Sequence, residues 1–243
     1  MNLNESVALV TGANRGLGAH LVQELLRSGA PKVYATSRTP GAVAADVAAD
    51  PRVRTLTLDI TDPASVEQAA AAAQDVAVLV NNAGVLAFGS ALDGDMDAFE
   101  RVLCTNYLGT LRVTRALVPA LERHAPAAVV NVLTLIALAP VSPMAGYSAS
   151  KAAAHSMTQA LRAELQGRGI AVLGAYPGSI DTDMLAGVET QKAPPGVVAE
   201  RIVAALAAGE SVVFPDDASA GAGAVYLHAP LKLEQLLGRA RLA

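Results

Sequence analysis

The sequence predicts an α/β fold: a doubly wound parallel sheet of seven strands with helices on both faces, in a single domain over residues 1–243. Short apolar runs alternate along the chain with longer Ala- and Leu-rich segments that carry charges at helical spacing. The apolar runs are continuous, which is typical of parallel strands buried on both faces. Strands joined by helical crossovers in this way form a doubly wound sheet.

Seven apolar runs are the predicted strands, namely residues 7–10, 32–36, 54–58, 76–80, 128–132, 170–176 and 212–214. The predicted helices are residues 17–28, 62–74, 95–123, 148–167 and 195–208, with a short one within 41–49. Residues 178–196 are rich in Gly, Pro, Asp and Thr, so we predict a long loop there, of the kind that often serves as a lid.

Composition argues against several classes of function. Aromatic residues make up 3% of the chain and the net charge is −4, which disfavours a nucleic-acid partner. The one cysteine, Cys104, allows no disulfide within the chain and favours a reducing, cytoplasmic location. The first residues lack the basic start and long apolar run of a signal peptide. The histidines have no metal-ligand spacing, so no metal site is predicted.

Residues 125–150 contain no charge, which raises the question of a membrane span. A span needs about 20 apolar residues in one helix, but Pro126, Pro140 and Pro143 interrupt this stretch. We therefore predict no membrane contact. The expected structure is a buried strand at 128–132 that runs into an apolar loop.

A glycine-rich segment, TGANRGLG at residues 11–18, follows the first predicted strand and precedes the first predicted helix. Gly12, Gly16 and Gly18 allow a sharp turn and a close backbone approach to a pyrophosphate, which the N-terminus of the next helix then faces. The segment predicts a dinucleotide site. The alternative is that the glycines serve only the shape of the turn.

The end of the second predicted strand indicates which dinucleotide is preferred. A carboxylate there, about 20 residues after the glycines, holds the ribose 2′-hydroxyl of NAD. This chain instead has Ser37 and Arg38, and Arg15 lies in the glycine loop. Two guanidinium groups and a hydroxyl suit a 2′-phosphate, so NADP(H) is predicted over NAD(H). The alternative is that both arginines are solvated surface charges.

Two further polar segments follow the third and fourth predicted strands. Asp59, in LDIT, is predicted either to accept a hydrogen bond from the adenine amine or to cap the helix that begins near Asp62. Residues 81–84 read NNAG, and we expect the two asparagine amides to tie neighbouring strands together. Ala83 and Gly84 are small enough to leave room for a ribose.

Tyr147 and Lys151 are four residues apart at the start of a predicted helix, so they share one face of it. Tyrosine has an ordinary pKa near about 10, and an acid or base near neutral pH needs a pKa lower by about 3 units. A lysine cation one turn away in a dry site shifts the pKa in that direction. The alternative is a packed tyrosine and a surface lysine.

In their order and spacing, the segments TGANRGLG, LDIT, NNAG, TNYLGT, YSASK and YPGSIDT resemble those of the short-chain dehydrogenase/reductase family, from residue 6 to about residue 184. The resemblance implies a single Rossmann-type domain, hydride transfer with a nicotinamide cofactor, and an Asn–Ser–Tyr–Lys tetrad. It also implies a small-molecule carbonyl or alcohol substrate and a homodimer or homotetramer.

The resemblance implies a role for each matching residue. Tyr147 matches the acid/base, Lys151 the lysine that lowers its pKa and binds the nicotinamide ribose, and Asn106 the asparagine that holds a water for proton relay. Pro177 and Gly178 match the turn beside the nicotinamide. The predicted cofactor contacts are Gly12, Asn14, Arg15, Gly16, Leu17, Gly18, Ser37, Arg38, Asp59, Ile60, Asn82, Ala83, Gly84, Tyr147, Lys151, Pro177, Gly178, Ile180 and Thr182, the last as the residue that bonds the carboxamide.

The serine of the tetrad is replaced in this chain. Its strand reads NVLT, so Thr134 stands at the matching position and keeps a hydroxyl that can polarise a carbonyl. Ser142, in the same loop, is the alternative. The predicted substrate contacts are Leu135, Ile136, Ser142 and Met144, within an apolar wall that also includes Leu138 and Val141.

The C-terminal tail, residues 215–243, is a second departure. Family members often continue here with T-G-Q and D-G-G segments, whereas this chain has an Ala- and Gly-rich stretch and then a predicted amphipathic segment near residues 231–241. This region often closes the pocket or joins subunits, so its role in this chain is left open.

The predicted function is an NADP(H)-dependent carbonyl reductase or alcohol dehydrogenase acting on a hydrophobic small molecule. The alternative is a non-catalytic NADP-binding regulatory protein on the same fold, which the replaced serine and the unusual tail motivate. A third candidate is epimerisation or dehydration on the same scaffold.

Overall fold

The structure, a computed structural model, describes residues 1–238. Its centre is a parallel sheet of seven strands: β1 (Ala8–Val10), β2 (Val33–Ser37), β3 (Val53–Thr57), β4 (Val78–Asn81), β5 (Ala127–Val132), β6 (Ile170–Ala175) and β7 (Val212–Val213). The strand order is β3-β2-β1-β4-β5-β6-β7. The order therefore reverses beside β1, and sheets of this kind bind ligands at that point, beyond the carboxyl ends of the strands.

The helices are α1 (Gly16–Arg27), α2 (Ala45–Ala48), α3 (Pro63–Ala72), α4 (Met96–Leu103), α5 (Thr110–Arg123), α6 (Ala145–Leu165), α7 (Pro195–Ala208), α8 (Asp217–His228) and α9 (Pro230–Gly238). α1, α2 and α7 cover one face of the sheet, and α3, α5 and α6 cover the other. Each face of the sheet has its own hydrophobic core. Successive residues of a strand point to opposite faces, so Val10 packs into the core beneath α1, α2 and α7, and Leu9 packs into the core beneath α3, α5 and α6. The predicted doubly wound α/β fold is confirmed, and each predicted strand is present to within two residues at either end.

The helix predicted over residues 95–123 is present from Met96 to Arg123, but it is not α-helical throughout. A π-helical turn, Cys104–Gly109, separates α4 from α5. Inside this turn the side chain of Asn106 exchanges hydrogen bonds with the backbone N–H and C=O of Val85 (both 2.9 Å). Such wide turns are frequent at functional sites. The predicted helix is therefore confirmed in extent, and its π-helical segment, which was not predicted, holds the asparagine that the family resemblance singles out.

The helix predicted from residue 148 also differs, because α6 begins at Ala145. A methyl group on Gly146 would lie 2.2 Å from a ring carbon of Phe99, so α4 and α6 approach closely here. This contact supports the first turn of α6, in which Tyr147 lies.

The predicted loop is present over residues 178–194, with one 3₁₀ turn at Asp183–Leu185, and α7 begins at Pro195. The tail contains two helices that were not predicted as such, α8 and α9. α9 covers most of the amphipathic segment predicted near 231–241, and residues 239–241 lie outside the described residues. Among residues 1–238, no helix combines the length and the apolarity that crossing a membrane requires.

Candidate active site

The glycine loop follows β1 at the carboxyl edge of the sheet. Gly12 has φ +65°, which glycine adopts without strain. A methyl group on Gly18 would lie 2.1 Å from the carbonyl oxygen of Gly12 and 2.6 Å from Nδ2 of Asn82. Glycine is thus required for this close approach, and the loop leads directly into α1.

The N-terminus of α1 has the donors that an anion needs. Arg15, at the N-cap, makes no side-chain cap hydrogen bond among the described residues, so these N–H groups lack a capping side chain. Asn14 is half-buried in the loop, whereas the side chain of Leu17 is buried in the core beneath α1. Because helix N-termini of this kind bind phosphate, the loop fits the pyrophosphate of a dinucleotide.

The NNAG segment is fastened to the glycine loop. Asn82 donates from Nδ2 to the carbonyl oxygens of Thr11 and Gly12 (2.9 and 3.1 Å). In return, Oγ1 of Thr11 accepts from the backbone N–H groups of Asn82 and Ala83 (both 2.9 Å). These bonds hold Ala83 and Gly84 beside the loop.

The first asparagine of NNAG ties strands together, as predicted. Asn81 on β4 donates to Oδ1 of Asn131 on β5 (2.8 Å) and to Oγ1 of Thr114 on α5 (3.0 Å). Asn131 in turn donates to Thr158 on α6 (2.9 Å). Because all four residues are buried, the network fixes β4, β5, α5 and α6 relative to one another.

The two arginines predicted to hold a 2′-phosphate are both exposed. Arg38 follows β2 directly. Arg15 forms an ion pair with Asp183 in the loop that precedes α7 (3.1 Å). Ser37 is buried, and its hydroxyl donates to the carbonyl of Thr39 (2.5 Å). The Arg15 side chain stays 70% exposed in this ion pair, so the phosphate role and the alternative of a solvated surface charge both stay predictions.

Asp59 does not cap α3. Its Oδ1 accepts from the N–H and the hydroxyl of Thr61 (2.9 and 2.7 Å), whereas Asp62 is the N-cap of the helix. The bonds from Thr61, and then the charge of Arg38, lower the pKa of the Asp59 carboxyl. The adenine contact of Asp59 stays a prediction. Ile60 is buried in the core, and its cofactor contact also stays a prediction.

Tyr147 and Lys151 lie one turn apart on α6, and both are buried, at 9% and 6% exposure. Nζ of Lys151 donates to the carbonyl oxygen of Val132 at the end of β5 (2.8 Å). A methyl group on Gly84 would lie 3.7 Å from this Nζ and 3.1 Å from Oδ1 of Asn106. The NNAG segment, the π turn and α6 therefore converge at the lysine.

Asn106 connects these elements by hydrogen bonds. Besides its two bonds to Val85, its Nδ2 donates to Oγ of Ser150 (2.9 Å). Ser150 donates onward to the carbonyl oxygen of Tyr147 (2.7 Å). The asparagine thus holds the segment after β4 against α6, and the predicted role of holding a water stays a prediction.

The predicted lowering of the tyrosine pKa is wrong for this structure. Burial raises the pKa of Tyr147 to about 12 and lowers that of Lys151 to about 8. The physical reason is that an apolar surrounding disfavours the charged form of each group. At neutral pH the phenol is therefore protonated and the lysine is still mostly a cation.

The two candidates for the tetrad hydroxyl differ in position. Thr134 is buried directly after β5, in an extended conformation (φ −167°, ψ 158°). Ser142 is exposed at the far end of the same loop. Thr134 is the better candidate for the tetrad hydroxyl, because it is buried and follows β5, whose last carbonyl group accepts the hydrogen bond from Lys151.

The predicted apolar wall is divided between two clusters. Val141 and Met144 pack with Tyr147, and Ile136 and Leu237 lie at the edge of this cluster. The remaining wall residues, Leu135 and Leu138, belong to a neighbouring cluster under α8 and α9.

The turn after β6 is held from two sides. The N–H of Leu135 donates to the carbonyl of Pro177 (2.9 Å), and the N–H of Gly178 donates to Oδ2 of Asp216 (2.8 Å). Asp216 is buried and caps α8 by a reciprocal pair of bonds with Ser219. The tail is therefore connected to the turn that the family resemblance predicts to lie beside the nicotinamide.

The loop before α7 lies beside the glycine loop. Ile180 is bridged to Ala193, which closes the base of the loop. A methyl group on Gly16 would lie 3.2 Å from Cγ2 of Thr182. Thr182 and the Arg15 ion pair thus bring this loop over the start of α1.

Two concavities elsewhere have volumes of about 420 and 380 Å³. The first is lined by residues of the N-terminus, α1 and α7, and the second by the amino ends of β5 and β6; neither contains a predicted site residue. Within residues 1–238, no group of three His, Cys, Asp or Glu side chains could hold a metal ion.

Comparison with known proteins assigns the family. A family model described as short chain dehydrogenase matches residues 6–193. The chain belongs to the short-chain dehydrogenase/reductase family. A short-chain dehydrogenase from Burkholderia cenocepacia, solved in complex with NADP, is 36% identical with a TM-score of 0.91, covering 98% of this chain and 99% of that one.

Two curated relatives of this short-chain dehydrogenase/reductase act on hydroxyl groups according to their names. One is a 3-alpha-(or 20-beta)-hydroxysteroid dehydrogenase from Mycobacterium tuberculosis, 34% identical over 184 residues, or 73% of this chain and 70% of that protein. The other is a 1-deoxy-11-beta-hydroxypentalenate dehydrogenase from Streptomyces exfoliatus, 34% identical over 216 residues, or 81% and 75%. The protein is an oxidoreductase of a family that uses nicotinamide cofactors on small molecules.

Sequence reasoning on this short-chain dehydrogenase/reductase missed three residues that position the site. Ser150 lies inside the YSASK motif but its bond to Asn106 depends on the π turn. Thr11 opens the glycine motif and binds NNAG through its hydroxyl. Asp216 had a local signal, since Asp216 and Ser219 have the spacing of a helix N-cap pair.

Proposed function

We propose that the protein is an NADP(H)-dependent carbonyl reductase, reversible as an alcohol dehydrogenase, with Tyr147 as proton donor. One observation carries this proposal: a buried tyrosine and a buried lysine lie one turn apart, at the junction of NNAG, the π turn and α6. The junction is at the carboxyl edge of the sheet, as the glycine loop is.

NADP(H) is the proposed cofactor, in preference to NAD(H). Arg15 and Arg38 are exposed at the adenosine end, and the stretch from β2 to Pro40 contains no carboxylate. A 2′-phosphate matches two guanidinium groups, whereas a free 2′-hydroxyl needs an acceptor that this stretch lacks. The NADP complex of the Burkholderia cenocepacia relative supports the same choice.

In reduction, a hydride joins the carbonyl carbon and a proton joins the carbonyl oxygen. The bound nicotinamide supplies the hydride. Tyr147 supplies the proton from Oη, and the hydroxyl of Thr134 donates a hydrogen bond to the same oxygen. The cation of Lys151 stabilises the phenolate that remains until the proton is replaced from water.

The raised pKa of Tyr147 is compatible with this direction. A phenol with a pKa of about 12 keeps its proton at neutral pH, which is the form that a donor needs. Hydride addition turns the carbonyl oxygen into an alkoxide, a stronger base than a phenolate, so the proton transfer from Tyr147 that gives the alcohol is downhill. Asn106 and Ser150 position Tyr147 through its carbonyl group.

The substrate class proposed is a hydrophobic ketone or secondary alcohol. The wall around Tyr147 is made of Val141, Met144 and Ile136, and the names of two relatives include a hydroxysteroid and a hydroxypentalenate. A homodimer or homotetramer is also proposed on family grounds. A reducing, cytoplasmic location rests on the single cysteine.

Replacement of the proton donor tests the proposal. Tyr147→Phe should lower the rate of NADPH oxidation at least about 100-fold over a panel of ketones and aldehydes, while NADPH still binds. Tyr107→Phe, the same change in the neighbouring π turn, is the control and should keep activity. Undiminished turnover by Tyr147→Phe would refute the assignment.

A second candidate function is a non-catalytic NADP-binding regulator. Thr134 in the serine position and the unusual tail favour it, because both depart from the family pattern. Wild-type protein that binds NADPH but oxidises it with no ketone, aldehyde or secondary alcohol would favour this candidate.

A further inference from the structure

The tail packs on the substrate side of the site. α9 presents Leu233 and Leu237, four residues apart, on one face. Leu233 is 1% exposed and packs with Leu135 and Ala139 of the loop after β5. Leu237 packs at the edge of the cluster that contains Tyr147. The last described helix therefore contacts both parts of the predicted wall.

Two other leucines of α9 are exposed. Leu231 and Leu236 are 72% and 54% exposed. Leu236 and Leu237 are thus adjacent residues of the same type, of which only the second reaches the site. They form a natural pair for comparison.

α8 anchors this arrangement at its other end. Asp216 accepts from the N–H of Gly178 in the turn after β6. A methyl group on Gly223 would lie 2.6 Å from the ring of Phe214, so α8 packs tightly on the end of the sheet. The tail is accordingly joined to the site at two places rather than lying loosely over it.

We propose that α9 is the outer wall of the substrate cavity and that Leu237 is a specificity-determining residue. It limits the size of the apolar group next to the reacting carbonyl. This inference rests on the proposed function, since a substrate must reach Oη of Tyr147. Tyr147 is 9% exposed and forms a cluster with Val141 and Met144, and the partly buried side chains packed against this cluster are Leu86, Ile136 and Leu237.

Selectivity between a bulky and a small ketone tests the inference. Leu237→Ala should raise kcat/KM for a steroid ketone about 10-fold relative to that for a small aliphatic ketone, because removing part of a pocket wall has effects of this order. Leu236→Ala should leave the ratio unchanged. The NADPH dissociation constant should be the same in all three proteins, which shows that the variants are folded. Equal ratios for the two variants would overturn the inference.

A spectroscopic test works without turnover. The chain contains no tryptophan, so Leu237→Trp and Leu236→Trp each have one indole whose fluorescence reports a single position. The indole at 237 should be shielded from acrylamide and should change its emission when the steroid ketone is added with NADPH. The indole at 236 should be quenched freely and should not respond.

The outcomes separate the two proposals. If both indoles are quenched alike, α9 does not cover the site and the inference is overturned, whatever the turnover. If only the indole at 237 is shielded and ligand-sensitive, but wild-type protein reduces no ketone, the wall is supported and the carbonyl reductase proposal fails.

Discussion

The proposed cofactor half and the proposed substrate half of the site are held together by different forces. In the first, side-chain amides and hydroxyls join the glycine loop to NNAG across adjacent strands. In the second, apolar side chains of the loop after β5 and of α9 pack together, with Asp216 as a polar connection. A dinucleotide demands one backbone geometry, whereas an apolar wall accepts different side chains of suitable volume. The residues of the first half therefore form recognisable sequence motifs, whereas those of the second half do not.

The largest effect is expected from a change in the cofactor half. Gly18→Ala should lower the free energy of unfolding by about 3 kcal/mol and abolish NADPH binding, because the new methyl group overlaps the carbonyl of Gly12. Urea unfolding and a fluorescence titration with NADPH measure the two effects. Gly221→Ala on α8 is the control, since nothing lies within 4 Å of a methyl group there. Similar small effects of both changes would contradict the importance of the close approach.

The corresponding change in the substrate half should affect stability but not NADPH binding. Leu233→Ala leaves a cavity beside Leu135 and Ala139 and should cost about 2 to 3 kcal/mol. NADPH affinity should stay within about twofold, because this cluster does not include the glycine loop. Leu231→Ala, at an exposed position of the same helix, should have little effect on either quantity. A large loss of NADPH affinity in Leu233→Ala would show that the halves are not independent.

Asp216 joins the halves, so its removal should affect both. Asp216→Ala leaves the N–H groups of Gly178 and Ser219 without their acceptor and should cost about 2 kcal/mol of stability. NADPH affinity should also fall, because the turn after β6 loses its support. Asp217→Ala, whose side chain is exposed, is the control. Thermal unfolding without NADPH measures the loss of stability, and the rise in Tm on adding NADPH measures binding. A rise in Tm equal to that of the wild-type protein would argue against the connection.

The smallest effect concerns pH. The native lysine at 151 loses its proton near about pH 8, whereas in the unfolded chain its pKa is near the ordinary 10.5. Raising the pH from about 7 to about 9 therefore stabilises the native state, by about 1 kcal/mol from this group. Lys151→Met should remove this gain in urea unfolding. If the free energies of unfolding of the wild-type protein and of Lys151→Met differ by the same amount throughout this pH range, the lowered pKa of Lys151 is contradicted.

Tyr147 adds a contribution of opposite sign at higher pH. Burial raises the pKa of the native phenol to about 12, so the native state keeps a proton that the unfolded chain has lost above about pH 10. The free energy of unfolding therefore falls between about pH 10 and about pH 12. Below that range the tyrosine does not interfere with the lysine measurement.

The fold could be predicted because it depends on local patterns. Continuous apolar runs and charged helical segments specify a covered parallel sheet wherever they alternate. The location of Gly18 and Asn81 near the carboxyl edge could be predicted because the motifs that contain them come at the ends of predicted strands. The carboxyl edge of the sheet brings such residues together whatever the details of packing.

The features that escaped prediction depend on contacts between distant segments. The π turn is stabilised by the bonds of Asn106 to Val85, which no local propensity reveals. α8 contains two glycines, a composition that resembles a loop, although Asp216 and Ser219 cap it as a helix. The sign of the pKa change at Tyr147 depends on its burial in the folded chain, which the sequence pattern does not show.

The π turn also limits how this protein can be engineered. Each residue of a regular α-helix turns the chain by about 100°, so deleting one residue from Cys104–Gly109 to regularise the helix would rotate Asn106 away from Val85 or turn α5 out of its packing. Consensus redesign that rewards ideal helices would favour such a deletion. Stabilisation efforts should therefore keep this irregular segment at its full length and place helix-promoting substitutions in the exposed parts of α4 and α5.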